Sequence, residues 1–372
     1  MKTYFRHSVA AAILVVAGAA QADDLKLVSI QSMTGPAAFA GAVFQQAIQL
    51  AVDEVNAKGG IHGSKVTVAE RDSAGDKGQA INLSNQAIDR DKALMVLGPT
   101  TTADTLAVGP VFNEKKTPFM GFAGSDAILK AGPWTLKFRQ APSDDGPVIA
   151  KYVLEKTPVR KVALVFDRTN EALIEFKNTF AEPLKAGGGS VAAEEAVISS
   201  DTNFLPLATK LKSLDVDAVY LSVYAEQAAN IATQLRKAGL SEKVRILGSL
   251  AIVSPKFLTA AGSAAEGVIA ISDYVPGMDR PLNKAFDAAW RARYKSEPDS
   301  YAATGYSQAQ VVLAALKEAG PNPTREKLRD AYLQVKNVPV VVGSGNWNQT
   351  ERRPHYGALV LLVKNGQFSI AP

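Results

Sequence analysis

The segment Ala93–Leu129, ALMVLGPTTTADTLAVGPVFNEKKTPFMGFAGSDAIL, holds two short apolar runs separated by a helical interval. The first run, Ala93–Leu97, stops at Gly98-Pro99 and is followed by Thr100, Thr101 and Thr102. The second, Pro118–Gly121, ends in Ala123, Gly124 and Ser125. Strand, helix and strand at this interval predict neighbouring parallel strands joined by a right-handed crossover. Both strand ends would then present backbone N–H groups and hydroxyls where helices begin, a place that favours negative charge and suits a carboxylate. Thr102 and Ser125 read equally well as ordinary helix N-caps.

The same rhythm extends on both sides. Leu25–Gln31 (LKLVSIQ) reads as a buried strand, and a helix follows with Phe44, Ile48, Ala51, Val52 and Val55 on one face, closed by Gly59-Gly60. Lys65–Arg71 is a strand, and the loop Asp72–Asp76 opens a helix over Lys77–Asp89. The pattern pauses at Lys130–Ser143 and resumes with strands at Lys161–Phe166, Ser190–Val197, Ala218–Leu221 and Arg245–Gly248, separated by helices. After Ala251 come a helix, a strand at Gly267–Ile271, and three helices over Leu282–Tyr294, Tyr301–Ala319 and Thr324–Val335. Tyr356–Lys364 reads as a strand pairing near Val340. Two parallel α/β units therefore lie in one chain, and ligands of such sheets bind outside the carboxyl ends of the strands.

The first residues, MKTYFRHSVAAAILVVAGAAQA, carry Lys2 and Arg6, an apolar run from Val9 to Ala20, and then Ala20-Gln21-Ala22. This pattern predicts a secretory signal peptide over residues 1–22, with cleavage before Asp23 and a soluble protein in the periplasm. The apolar run is short for a bilayer. The sequence has no cysteine, which excludes lipid attachment through an N-terminal cysteine and leaves stability to a large core. Removing Lys2 and Arg6 lowers the formal charge from +5 to +3, too weak and dispersed for nucleic-acid or membrane binding.

Several segments together resemble the leucine/isoleucine/valine-binding family, the periplasmic binding proteins of branched-chain amino-acid ABC importers. These are Thr34-Gly35-Pro36, Asn56 with Gly59-Gly60-Ile61-His62-Gly63, the Asp72–Asp76 loop leading into Gln79-Ala80, Gly98-Pro99 with its threonines, and Phe138-Arg139 followed by Asp144-Asp145-Gly146-Pro147. The resemblance covers the chain beyond residue 22. It implies a type I periplasmic binding fold, α/β with two Rossmann-like parallel-sheet lobes joined by three hinge crossovers. The first lobe would be 23–141 plus 251–339 and the second 142–250 plus 340–372. Crossovers would lie near Ala141, Gly248–Ala251 and Pro339–Gly343.

The resemblance also implies a site. The ligand carboxylate would meet Thr101 or Thr102, Gly124 and Ser125, and Tyr224 would close from the second lobe. Three positions depart from the family pattern. Ala40 stands where an aromatic often follows Thr-Gly-Pro, with Phe39 one place earlier; Glu171 stands where a second-lobe tyrosine is usual; Leu250 takes the place of the acid that receives an amino acid's ammonium. A buried ammonium without a carboxylate is costly. Glu171 reads as a substitute acceptor, a solvated loop residue or a helix-start charge. The small residues Ala37, Ala38, Ala40, Gly41, Ala123 and Gly124 either leave room for a larger ligand or merely permit tight turns. The expected ligand is a small carboxylate with an apolar or aromatic body, and an apolar amino acid held through Glu171 is the alternative.

Enzymatic motifs are missing: there is no G-x-S-x-G, no Walker A pattern and no G-x-G-x-x-G after a strand. After residue 22 only His62 and His355 remain, neither near a second metal-ligand type, so no metal or cofactor is expected. Asp72, Asp76, Asp144 and Asp145 read as helix caps, Trp347 as a core aromatic under the last crossover, and the Tyr301–Ala319 stripe as core. The same fold serves ligand sensors, but a signal peptide precedes the first strand and the chain given stops at Pro372, which favours a free binding protein over a repressor or receptor. The expected partners are an inner-membrane ABC permease and its ATPase. No coiled-coil heptad is present, and a monomer is expected.

Overall fold

The computed structural model describes residues 23–350 and 352–372. The signal peptide expected at 1–22 lies outside the described residues. The first sheet contains β1 (Leu25–Gln31), β2 (Val66–Asp72), β3 (Met95–Leu97), β4 (Phe119–Gly121) and β5 (Thr135–Lys137), interleaved with α1 (Ala38–Ala57), α2 (Lys77–Asp89) and α3 (Thr102–Glu114). Its order is β2-β1-β3-β4-β5 and every pairing is parallel. Buried parallel strands read as nearly unbroken apolar runs, as β1 does with six of its seven residues buried. The strand β5 falls in the stretch expected to be pattern-free. It is only three residues long, and its buried Lys137, paired with Asp126 at 2.5 Å, masks the apolar pattern.

The second lobe begins with α4 (Pro142–Lys156) and continues through β6 (Lys161–Asp167), α5 (Glu171–Ala186), β7 (Ser190–Val197), α6 (Leu205–Ser213), β8 (Ala218–Ser222), α7 (Ala225–Lys237), β9 (Arg245–Gly248), α8 (Pro255–Ala261) and β10 (Ile269–Ser272). The chain then returns to the first lobe as α9 (Pro281–Tyr294), α10 (Ser300–Glu318) and α11 (Arg325–Gln334). A small antiparallel sheet follows, β11 (Val338–Pro339), β12 (Asn346–Thr350) and β13 (Arg353–His355), and the chain ends with β14 (Leu359–Lys364) and β15 (Gln367–Ile370). The second sheet has the order β15-β14-β10-β9-β8-β6-β7.

Three expectations about the connections need correction. Residues 251–272 do not belong to the first lobe: β10 pairs in parallel with β9, Ile269 opposite Leu247, so α8 completes another crossover and the chain leaves the second lobe only after Ser272. Tyr356–Lys364 does not pair near Val340. Leu359–Lys364 instead lies antiparallel to β10, where Leu361 and Val363 join the second core, while Val338–Pro339 pairs with β12. Strand partners are chosen by long-range burial that a local pattern does not carry. Residues 340–356 also do not belong to the second lobe, because Val340–Val342, Trp347 and Tyr356 pack into the first core. The lobes are thus joined at Phe138–Ala141, at Asp273–Val275 in place of Gly248–Ala251, and near Tyr356–Ala358 in place of Pro339–Gly343.

Buried polar groups stitch these three connections together. The Gln140 side-chain oxygen accepts the N–H groups of Tyr356 and Gly357 at 3.2 and 3.1 Å, and its amide donates to Asp145 at 2.6 Å. The Tyr356 hydroxyl donates to Asp273 at 3.2 Å, and the Gly343 N–H donates to the Asp273 carbonyl. Asp144 caps Ala141 as expected, whereas Asp145 is buried beneath the first connection. Trp347 is fully buried with its indole N–H on the Phe138 carbonyl, supporting the hinge as core.

In the first core, α10 crosses α1 at Gly305, where an added Cβ would come within 2.9 Å of the Ala47 Cβ and 3.1 Å of the Phe44 backbone. Gly305→Val should therefore destabilise by roughly 1 to 3 kcal/mol through overpacking, measured by urea unfolding. A second prediction concerns Asp145. Burial pushes its carboxyl up from 3.8 to about 7, against the opposing pull of the Gln140 amide and the Arg139 charge. The folded form thus holds this proton more tightly than the unfolded form, and the stability that the protonated group contributes is lost as pH rises between those values. Asp145→Asn, neutral throughout, should gain on the parent by about 1 kcal/mol or more between about pH 5 and about pH 8. A constant difference in unfolding free energy would show that the carboxyl is already ionised.

Candidate functional site

Parallel strands β3, β4 and β5 end side by side, and so do β6, β8 and β9 across the cleft. Between these two edges lies a cavity of about 290 Å³. It sits at the small end of ligand pockets, with room for a single ring or an amino acid but not a nucleotide.

The first-lobe wall is positioned by a buried polar link. Gln31, fully buried at the end of β1, accepts from the Thr100 hydroxyl at 2.8 Å, and the same hydroxyl accepts the Ser32 N–H at 2.9 Å. Thr100 is therefore spent on holding the turn. Thr101 is the N-cap of α3, accepting the Asp104 N–H at 3.1 Å. Thr102 opens the helix, and its hydroxyl has no protein partner among the described residues. The N–H groups of Thr102 and Ala103 belong to the first turn and have no helical acceptor. All three threonines line the cavity, as do Ala123 and Gly124 after β4. Ser125 does not: its hydroxyl accepts the Ala127 N–H at 3.2 Å and caps the short helical turn Asp126–Ala131, so the capping alternative holds for this residue.

The second-lobe wall comes from the turns after β6, β8 and β9. Asn170 caps α5 by accepting the Ala172 and Leu173 N–H groups, and its amide donates to the Tyr224 hydroxyl at 2.9 Å. Its oxygen occupies the part of that helix end which would attract an anion. Glu171, Tyr224 and Leu250 all line the cavity; Glu171 is exposed at the mouth without an ion pair among the described residues, and Leu250 is buried.

Aromatic rings form a belt across the cleft. Phe122 stacks on Phe44 at 3.6 Å between centroids, Phe44 meets Tyr301 at 5.7 Å, Tyr301 meets Phe39 at 5.5 Å, and Phe39 meets Tyr224 edge-on at 4.9 Å. The last contact joins the two lobes, so the described form is closed. Tyr301 corrects an expectation: it lies on a helical stripe with core spacing, yet it also faces the cavity.

Three cavity charges remain. Lys77, at the start of α2, and Glu171 are exposed at the rim. Arg139, which follows β5, is inside, and its Nη2 is buried without a hydrogen-bond acceptor. Burial alone would weaken its hold on the proton, but the nearby carboxylates of Asp273 and Asp145 keep its pKa above the ordinary value. In the sequence Arg139 stands only as part of the Phe138-Arg139 segment that carries the family resemblance. Asp72 and Asp76 lie outside the cavity: Asp76 caps α2, and Asp72 accepts N–H groups of Met33 and Thr34.

The sequence profile of the periplasmic binding protein family matches residues 24–367. The Leu/Ile/Val-binding protein of Escherichia coli (strain K12) is 27% identical over 341 residues, covering 90% of this chain and 90% of its own. The branched-chain amino-acid transporter substrate-binding protein of Streptococcus pneumoniae, solved with isoleucine, is 25% identical with a TM-score of 0.84, over 93% of this chain and 97% of that one. A solute-binding protein of an ABC transporter from Rhodopseudomonas palustris BisB5, solved with 3,4-dihydroxybenzoic acid, shares the fold at 24% identity and a TM-score of 0.84, over 93% and 95% of the two chains. With its two parallel-sheet lobes and the cavity between them, the chain belongs to the periplasmic binding protein family, among the branched-chain amino-acid type of ABC-transporter substrate-binding proteins.

Proposed function

We propose that this protein captures a small carboxylic acid with an apolar or aromatic body and delivers it to an inner-membrane ABC permease and its ATPase. It acts in the periplasm after loss of residues 1–22, as a monomer and without a cofactor. The observation that carries the reading is the charge balance of the cavity. Its interior offers the Thr102 hydroxyl, the first N–H groups of α3 and the Arg139 guanidinium, while Leu250, which the resemblance puts at the ammonium-receiving position, lines the cavity without a charge. An ammonium enclosed there away from Glu171 at the rim would lose several kcal/mol of hydration with no carboxylate to receive it. A carboxylate at the α3 end would instead gain donors that water otherwise satisfies.

The second reading is an apolar amino acid whose ammonium reaches Glu171 at the mouth. The names of the relatives favour it, since one binds leucine, isoleucine and valine and another was solved with isoleucine. The same fold also holds an aromatic acid in the Rhodopseudomonas protein. In either case the lobes close around the ligand as a population shift, driven by contacts across the cleft such as Phe39 on Tyr224.

Thermal unfolding of protein freed of ligand by unfolding and refolding separates the two readings. At a hundred times its dissociation constant a ligand adds about 2.7 kcal/mol, enough to raise the midpoint visibly. Acids such as benzoate or 3-phenylpropanoate should raise it, and leucine, valine and phenylalanine should not; the reverse pattern establishes Glu171 or another group as the ammonium acceptor. Thr102→Val should weaken the acid that binds by about 1 to 3 kcal/mol in calorimetry, the worth of a hydrogen bond to a charged group. Unchanged affinity removes Thr102 from the site. Phe39→Ala should also weaken binding, mainly through faster release, because it takes away the ring that meets Tyr224 across the cleft.

A further inference from the structure

The cavity has two polar ends, and only one of them is needed for a single carboxylate. At the α3 end stand Thr101, Thr102 and the exposed Lys77, and the charges acting on Asp104 in the first turn of α3 are Lys77 and Asp76. At the other end stands Arg139. The groups whose charges act on it are Asp273, Tyr356 and Asp145, at or beside the lobe connections, and Tyr301, at the start of α10 in the first lobe. The sheet order separates the two ends, because Thr100–Thr102 follow β3 whereas Arg139 follows β5, two strands away. At about 4.8 Å per strand the backbones stand about 10 Å apart. The aromatic belt from Phe122 to Tyr224 lines the same cavity.

Arg139 is also short of partners. Its Nη2 is buried with no acceptor, and Arg139 makes no ion pair among the described residues. Asp273, the carboxylate that acts on it most strongly, accepts the Tyr356 hydroxyl on Oδ2 and keeps a buried Oδ1 without a partner, and Asp145 accepts from Gln140; neither hydrogen-bonds Arg139. The Tyr301 hydroxyl, which faces the same cavity, likewise has no protein partner among the described residues. A planar cation with unused N–H groups at the end of an apolar cavity recognises an oxygen acceptor.

Building on the carboxylate reading above, we propose that Arg139 receives a second oxygen of the ligand, at the end remote from its carboxylate. The ligand class is then an acid with an aromatic or apolar body and a distal hydroxyl, carbonyl or second carboxylate, not a plain hydrocarbon acid. Arg139 acts as a specificity residue: it discriminates by the cost of leaving its donors unpaired when the distal oxygen is missing.

Calorimetry with two matched pairs tests this: benzoate against 4-hydroxybenzoate, and 3-phenylpropanoate against 3-(4-hydroxyphenyl)propanoate. In the better-binding pair the oxygen-bearing acid should bind about tenfold tighter or more, the worth of a hydrogen bond to a charged donor. Arg139→Met should bring that ratio close to one. Arg139→Lys, which keeps the charge beside Asp273 and Asp145, should reduce it in part and serves where the methionine variant does not fold. Thr102→Val should weaken both members of a pair and leave the ratio standing. Equal affinity within both pairs overturns the inference while leaving the carboxylate reading intact, and so does a ratio that survives Arg139→Met. Binding of leucine with no binding of any of the four acids overturns both.

Discussion

Five parallel strands must end along one edge of their sheet, and the helices that follow them must begin there. This constraint places the turn after β3, the turn after β4 and Arg139 after β5 side by side, and it does the same on the facing lobe for Asn170, Tyr224 and Leu250. The cavity threonines, Arg139 and Asn170 owe their positions to this convergence, whereas the Tyr301 hydroxyl comes from α10. The chain order contributes little, since Phe39 and Tyr301 are far apart in sequence yet meet at 5.5 Å. What keeps the two edges facing is the knot of Gln140, Asp145, Asp273 and Tyr356, which ties the three connections to one another where they cross.

The two edges are not equivalent. On the second lobe, Asn170 folds its own side chain over the α5 terminus and binds Tyr224, so that end is satisfied from within. On the first lobe, Thr101 takes one N–H of α3 and leaves the others, and Thr100 is occupied with Gln31. The unsatisfied donors therefore belong to the first lobe, and the second supplies mostly rings, Leu250 and a rim acid. Such a division suits an encounter in which ligand first meets the first lobe and the second then covers it. The buried acids behind Arg139 do not cancel its charge simply: burial raises the pKa values of Asp145 and Asp273, which weakens them as counter-charges.

Local pattern carried much of the fold. The apolar runs of β1, β3 and β6, the single face of α1 and the glycines after it, and the capping residue Asp76 follow from side-chain size and hydrogen bonding within a few residues. Elements whose character depends on distant partners were harder to read. β5 hides behind a lysine that is tolerated only because Asp126 meets it, and β10 looked like a return to the first lobe because its pairing with β9 spans an entire helix. Within the site, Thr101, Thr102, Gly124, Phe39, Glu171, Tyr224 and Leu250 were named from the resemblance and do line one cavity, whereas Ser125 turned inward as a cap. Arg139 and Tyr301 were visible as residues but not as cavity walls, one inside a segment of the family resemblance and the other on a core stripe.

The sequence alone determined that this chain builds two α/β units, lacks disulfides, and carries the turns of the branched-chain binding family, because those properties reside in composition, period and short-range geometry. Tertiary structure decided which hydroxyls are free, which are spent on capping, and that an arginine without a hydrogen-bond acceptor lines the same cavity as the aromatic side chains. Hydrogen-bond satisfaction is a property of the whole neighbourhood. Whether Thr102 is open while Ser125 is closed depends on which way each side chain turns once strands far apart in the chain have been brought to one edge.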